Sequence, residues 1–394
     1  MMNSNAKPIN CPIRGAYDFE PCDPAEVTPL VEFLNSNQSV ASPVEFTRGT
    51  MLPDGRLDLC KQDLGPDGCF RVTEAIKSNC HVRSLLLGTD GIGDVGANSV
   101  ADMLRENESL QIVYLGCNSI SSEGTHALAD SLRENQTVKG LWLKRNPIGD
   151  EGALAIAELL RSGSGLEVLD LVNTGIGKRG LASLLKAMES VHCQIRRLYL
   201  GGNGFDADDA RMIANSLVKS KTIRSLMLGV NDFGDDGAAA MAELLTQCPA
   251  LEELGLASNG IGERGTKVLC AAIEKHPTLA YFDFGFSPST KVLGASGNSP
   301  GERGHHRILQ MLAANPMLRR LNLRGTGFES VVGQELCSAM QSNTNLVALI
   351  VDGKLPESVK DQLLRNGDDS PVRSEAPEEV RLIRSVYRTA RKIS

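Results

Sequence analysis

Along this chain, short runs of alternating apolar and polar residues give way to a helical spacing of apolar residues, and the pair of patterns then recurs. "LQIVYLGCNSISSEGTHALADSLRENQT" begins at Leu110, "VKGLWLKRNPIGDEGALAIAELLRSGSG" at Val138 and "LEVLDLVNTGIGKRGLASLLKAMESVHCQ" at Leu166. The same frame begins at Asp54, Val82, Ile195, Ile223, Leu251, Leu279, Leu318 and Leu346. Successive starts lie 28 residues apart, except for 29 between Leu166 and Ile195 and 39 between Leu279 and Leu318. Eleven units are readable, the first and last degenerate, in the frame L-x-x-L-x-L-x-x-N-x-I-G-x-x-G-x-x-x-[LIV]-A-x-x-L. A fixed period of this length marks an array of stacked repeats.

Each part of the frame has a physical task. The L-x-L alternation predicts a short strand with one face buried. Asn118, Asn146, Asn203, Asn231 and Asn259 share the slot after the strand, where an amide satisfies backbone groups that would otherwise be unpaired. Asp90, Thr174 and Thr326 fill that slot in three other units. Ile120, Ile148, Ile176 and Ile261 are expected to plug the core, with Phe205, Phe233 and Phe328 as substitutes. A helix follows, as in "GALAIAELLRS" from Gly152, with Leu154, Ala157 and Leu160 on its apolar stripe.

Three units also contain G-x-G-x-x-G: "GIGDVG" at 91–96, "GIGKRG" at 175–180 and "GIGERG" at 260–265. After a strand and before a helix, that spacing is the fingerprint of a dinucleotide-binding loop. Here its first glycine falls on a variable position, Ser119 or Pro147 in neighbouring units. A dinucleotide fold has one such loop, and its strands are apolar on both faces. These strands alternate, so the glycines belong to the repeat.

With its 28–29-residue N-x-I-G-x-x-G-x-x-x-L-A-x-x-L frame, the chain resembles leucine-rich repeat proteins of the ribonuclease-inhibitor type over residues 54–366. The resemblance implies an α/β solenoid shaped as a horseshoe, with parallel strands on the concave face and helices on the convex face. Strands stack about 4.8 Å apart and helices about 8–10 Å, which gives the same curvature. The resemblance further implies a non-catalytic scaffold that binds another protein on the concave face. One branch, the Ran GTPase-activating proteins, assists hydrolysis by a partner GTPase. In that alternative Arg145, just past its strand, is the best-placed residue.

Outside the array, residues 1–25 are expected to form a flexible arm and 26–53 an N-terminal cap, which open repeat arrays require. The unit at Leu279 carries an insertion at 286–296, and Asn298 recovers the Asn slot. Loops added to a scaffold are often functional, but a tolerated surface insertion fits the sequence equally. Residues 367–375 read as a linker and 376–394 as a basic amphipathic helix. There Arg381, Arg384, Arg388 and Arg391 form one stripe, and Leu382, Ile383, Val386, Ala390 and Ile393 the opposite one. The apolar stripe is expected to dock near "ALIVDGKLP"; a lipid- or partner-binding tail is the alternative.

Composition narrows the function. A net charge of −7 and a pI near 5.5 argue against nucleic acid as a partner. No run of about 18 apolar residues occurs, so no stable membrane insertion is expected. The ten cysteines form no C-x-x-C pair, and without an export signal they read as reduced core residues in the cytoplasm. His305–His306 opens a helix, and adjacent residues diverge by about 100° there, so both read as exposed rather than as metal ligands. The acids of the "GDEG" turns are ascribed to helix N-termini. No catalytic residue, metal or cofactor is expected, and the protein is read as a monomer.

Between the two buried leucines of each strand lies a position expected to point into the horseshoe. It begins with Asp58 in the first unit, and its candidates are Leu86, Tyr114, Trp142 and Asp170, then Tyr199, Met227 and Asp283. Aromatic residues make up only 4% of the chain, yet its one Trp and two of its five Tyr fall in this column. Tyr281 and Arg197 lie in the adjacent column, and Lys144 and Arg145 follow the strand. Aromatic, Met and Arg side chains together are typical of binding hot spots. These residues are therefore the candidate partner-binding site, with Tyr114, Trp142 and Tyr199 as anchors.

Overall fold

The computed structural model describes Ile9 and residues 20–328, 333–368 and 378–387. The chain divides into two compact units, one of residues 8–195 with 376–394, the other of 196–375 with 1–7.

In the first unit, Asp23 accepts the Ala25 N–H (2.9 Å) and so caps a 3-10 turn, Pro24–Val27, which runs into α1 (Thr28–Asn35). Strands β1 (Val44–Glu45), β2 (Thr50–Met51) and β3 (Arg56–Asp58) pair antiparallel. From β3 onward the pairing is parallel, through β4 (Ser84–Leu86), β5 (Ile112–Tyr114), β6 (Gly140–Trp142) and β7 (Val168–Asp170). The register is the repeat period itself, since Leu57, Leu85, Val113, Leu141 and Leu169 stand side by side. Helices α2 (Gly65–Ile76), α3 (Gly93–Glu106), α4 (Ser122–Glu134), α5 (Gly149–Ser162) and α6 (Lys178–Met188) alternate with the strands. In α5 the buried residues include Ala153, Ile156, Ala157 and Leu160, whereas Leu154 is partly exposed. Ala157 and Leu160 of the expected stripe are thus buried, and Leu154 is the exception, with Ala153 and Ile156 packed inward instead.

The second unit repeats the plan with β8 (Arg197–Tyr199), β9 (Ser225–Met227), β10 (Glu253–Gly255), β11 (Tyr281–Asp283), β12 (Arg320–Asn322) and β13 (Ala348–Ile350), all parallel. Its helices are α7 (Ala207–Leu217), α8 (Gly234–Gln247), α9 (Glu263–Lys275), α10 (Gly301–Ala314), α11 (Gln334–Gln341) and α12 (Glu357–Asp368). The insertion folds back on its own unit: Thr290 and Leu293 are buried, and Thr290 Oγ1 donates to Ser258 Oγ (2.7 Å).

Three polar ladders tie successive repeats together. In the first, Asn146 Oδ1 accepts the N–H groups of Asn118 (2.9 Å) and Ile120 (3.1 Å), while its Nδ2 donates to Leu115 O and Leu143 O. Asn231 and Asn298 do the same work in the second unit, so the ladder there spans the insertion. The second ladder lies at the helix C-termini, where Asn135 Nδ2 reaches Leu104 O (2.8 Å) and Asn107 O (2.9 Å). His276 replaces asparagine in this ladder, contacting Cys248 O and accepting the Leu279 N–H. In the third, Asp94, Asp150 and Asp235 each cap the helix of the following repeat. Asp150 Oδ1, for example, accepts Gly177 N (2.7 Å) and Gly180 N (2.9 Å). The acids of the "GDEG" turns therefore serve the next helix more than their own. A Cβ on Gly180 would lie 2.7 Å from Asp150 Oδ1 and 2.9 Å from the Ala153 Cβ, which explains the last glycine of the hexapeptide. In 175–180 and 260–265 the amides that a phosphate would need are already taken by a carboxylate, and in 91–96 those of Gly93 and Gly96 are taken by backbone carbonyls.

His305 departs from its expected exposure. It is buried, contacts Thr326 O (3.0 Å) through Nε2 and meets the Phe328 ring edge-on. Its neighbour His306 is exposed, as expected, and pairs with Glu335. The cysteines 22, 60, 69, 193, 248 and 270 are buried, and burial pushes the Cys270 thiol up to about 12.

Asp90 occupies the Asn slot fully buried, and its Oδ2 has no hydrogen-bond partner among the described residues. Burial raises its carboxyl well above the ordinary carboxylate range, against the opposing pull of the Gln62 N–H. The folded state therefore holds this proton more tightly than the unfolded chain, and ionisation costs stability increasingly as pH rises above about 4. Asp90→Asn would add an amide donor and remove the charge. Thermal melts should show a gain of about 1–3 kcal/mol at pH 7 that shrinks as pH approaches about 4.

Candidate protein-binding face

On the strand side of the first unit, the C-terminal segment of the chain is already bound. A single helical turn, Glu378–Arg381, precedes residues 382–387, which form turns and irregular backbone. The amphipathic helix expected over 376–394 therefore stops at Arg381 within the described residues, and 388–394 lie outside them. Leaving the helix frees backbone groups, and the face uses them. Ser84 Oγ donates to Leu382 O (3.0 Å), Arg56 Nη1 to Arg384 O (2.5 Å) and Lys61 Nζ to Tyr387 O (2.9 Å). Asp58 accepts the Val386 N–H at Oδ2 (2.6 Å) and the Ser385 hydroxyl at Oδ1 (3.2 Å). Tyr387 OH meets Thr50 Oγ1 at 2.5 Å.

Docking near "ALIVDGKLP", driven by an apolar stripe, is thereby corrected: the segment packs with residues of β2, β3 and β4, largely through polar contacts. Val386 remains half exposed. The physical reason is that a non-helical backbone needs hydrogen-bond partners, and β3 supplies a carboxylate and a guanidinium where a stripe of aliphatics would satisfy nothing.

Asp58 itself is buried and also accepts the Cys60 N–H (3.1 Å), so its carboxylate is shared between β3's own turn and the docked segment. A cavity of about 340 Å³ remains beside the segment, lined by Cys60, Lys61, Thr89, Tyr114 and Lys144 on the face and by Ile383 and Tyr387 from the segment. Lys144 Nζ sits 5.2 Å from the Tyr114 ring centroid. Burial disfavours the Lys144 charge, but Tyr114 and Asp170 outweigh it and hold its pKa above the ordinary value. Burial likewise raises Tyr114, to about 12, and Asp170.

The predicted column divides by exposure. Tyr114 is partly exposed, as are Lys144 and Arg145 next to it. Arg145 has left-handed backbone (φ 59°), pinned by its N–H to Val172 O (2.8 Å). Leu86 and Trp142, by contrast, are 0% and 1% exposed, so neither is offered to an outside partner. Trp142 folds back along its own strand over Gly140, where a Cβ would come within 2.3 Å of the indole ring. Alternation identifies the strand face but not what covers it.

In the second unit the remaining candidates are partly exposed and engaged with one another. Arg197 pairs with Glu253, which also accepts the Ser225 hydroxyl (2.7 Å). Arg320 lies over the Tyr281 ring (5.2 Å), and Asp283 accepts from Gly285 N and Asn322 Nδ2. Burial raises the Asp283 carboxyl. Met227 leans across Gly255, and Tyr199 pairs in register beside it. Sequence reasoning placed Asp58 in the outward column without making it a binding candidate, and did not single out Arg56, Ser84 and Ser385. The local signal was the degeneracy of the first repeat; Asp58 itself was not distinctive, because Asp170 and Asp283 hold the same position in later units.

A leucine-rich repeat family profile matches residues 134–157 and 219–242. The first stretch runs from the end of α4 through β6 into α5, and the second contains β9 and the start of α8. Among solved structures, the chain is similar to leiomodin-1 actin-binding site 2, with 22% identity and a TM-score of 0.32, over 37% of this chain and 78% of that one. A likeness of that size carries no statement about a partner. Comparison with curated proteins gives no match. Each unit thus contains one stretch matched as a leucine-rich repeat, and the alternating strands and helices make the fold an α/β leucine-rich repeat solenoid.

Because Trp142 is buried, Trp142→Ala should act on the fold as well as on binding. Denaturant unfolding should show a loss of about 3–5 kcal/mol. A loss below about 1 kcal/mol would show that the indole is surface-presented instead.

Proposed function

We propose that this protein is a non-catalytic, ribonuclease-inhibitor-like scaffold, monomeric and cytoplasmic, whose strand-side face on the first unit binds a non-helical segment of a partner protein. One observation carries this reading: the face already holds a peptide, the chain's own residues 382–387, through three backbone carbonyls and one backbone amide. Contacts made to backbone depend little on side-chain identity, so another non-helical segment with a suitably placed hydroxyl can take the same place. Tyr114, Lys144 and Arg145 flank the occupied strip and are partly exposed, which suits them to extend the contact. Asp170 acts through Lys144 as its counter-ion. Arg197, Tyr199, Met227, Tyr281 and Asp283 make up a further candidate surface on the second unit.

A photo-crosslinking residue in place of Lys144 should capture a partner protein in cells, whereas one in place of Glu158, exposed on α5, should not. Adding Tyr114→Ala should weaken that partner's affinity by about 2 kcal/mol, roughly 30-fold, as truncation of a binding anchor does. Equal capture from both positions would refute the siting.

Activation of a GTPase rests on the family resemblance alone. With candidate small GTPases, the intrinsic rate of GTP hydrolysis should stay unchanged on adding the protein. A large stimulation that Arg145→Ala abolishes would put the activator reading first.

A further inference from the structure

The same contacts that hold the segment single out one side chain as the point where it can be released. Ser385 Oγ both donates to Asp58 Oδ1 (3.2 Å) and accepts the Tyr387 N–H (3.0 Å). Asp58 is fully buried and already takes hydrogen bonds from Cys60 N and Val386 N. We propose that Ser385 is a phosphorylation site, and that its modification expels the C-terminal segment and opens the strand-side face to a partner. This rests on the protein-binding reading above.

Three observations converge on it. A phosphoryl group on Oγ removes the proton that Ser385 donates and places a charge of about −1.5 to −2 against the carboxylate of Asp58, which is itself fully buried and so is screened far less than a surface charge. The cations of the face are engaged elsewhere: Arg56 pairs with Asp54 and donates to Arg384 O, Lys61 donates to Tyr387 O, and Lys144 is held by Tyr114 and Asp170. The sequence around the hydroxyl, "RLIRSVYRTARK", is dense in Arg and Lys and has no acid. Once undocked, such a segment complements a kinase with an acidic substrate cleft. In the transfer, the Ser385 hydroxyl gives its proton to the kinase's base and its oxygen bonds to the γ-phosphorus of ATP. The bond from that phosphorus to the β,γ-bridging oxygen breaks, and ADP leaves with the electron pair.

The test uses the full-length chain with phosphoserine installed at position 385, and a fluorescent synthetic peptide of residues 376–394, unphosphorylated, as the probe. In the unmodified chain the resident segment competes at high effective concentration and probe binding is weak. The phosphorylated chain should bind the probe at least tenfold more tightly, with residues 378–387 becoming protease-sensitive while the repeats keep their melting temperature. Unchanged binding, or tighter retention of the segment because Lys61 and Lys144 capture the phosphate, would overturn the proposal. A full-length control carrying Ile383→Glu and Tyr387→Ala, both in segment residues that line the cavity, separates the two readings. If this control binds the probe and the phosphorylated chain does not, phosphorylation is not the switch and the face still binds peptide. If neither binds, the peptide-binding reading itself fails. Arg56→Ala with Ser84→Ala should abolish probe binding in every background.

Discussion

Everything in this fold depends on a side-chain amide that reaches from one repeat into the loop of its neighbour. The turn after each short strand leaves backbone N–H and C=O groups inside the protein, where an unpaired group costs about 1–3 kcal/mol. Asn146 answers four of them at once, two donors and two acceptors, in its own repeat and the one before. That reach sets the period, because the amide meets its partners only when the repeats stand in the same register. It also fixes strained positions: Cys117, Arg145 and Val230 hold left-handed backbone because their N–H groups pair with the next repeat. Left-handed backbone costs about 1–2 kcal/mol per residue, which the ladder must offset.

A ladder of this kind has ends, and the ends are where the regular chemistry changes. Before the first parallel pair, β1 and β2 turn antiparallel, and Thr50 and Met51 are buried there. Asp90 takes the Asn slot with an unpartnered oxygen, and Asp58 takes the column position with a buried carboxylate. Asp58 finds its remaining donors in residues 385 and 386, more than 300 positions away in the chain. Closing the polar account of the first repeat and occupying the strand face are thus one set of contacts. A scaffold that binds through this face has to exchange one peptide for another, and the exchange is favourable only if the incoming segment matches those hydrogen bonds.

Much of this was legible in the residues. The spacing of L-x-L, Asn118, Ile120 and Gly124 carries the strand, the ladder, the core plug and the helix contact, each enforced within a 28-residue neighbourhood. The second ladder was present as the repeated "REN" ends of helices, yet a helix-terminal Asn is so often a simple cap that nothing in the string marks its reach to the previous repeat. His305 was misread for a related reason: the string shows a polar pair on a helix but not the Thr326 carbonyl waiting across it.

By itself the sequence determined the repeat, its register and the face on which the candidate residues stand, since these follow from local periodicity and from partners at a constant separation. Tertiary structure alone decided which of those residues are exposed. Trp142 and Leu86 alternate outward just as Tyr114 does, and only packing shows the first two covered and the third partly open. The C-terminal segment is the same lesson at longer range. Its Arg and aliphatic spacing fits a helix well, but helix propensity is worth only tenths of a kcal/mol per residue. The buried carboxylate of Asp58 and the donors of Arg56, Ser84 and Lys61 offer its backbone more than the helix does, and no local pattern records where in the chain those partners are.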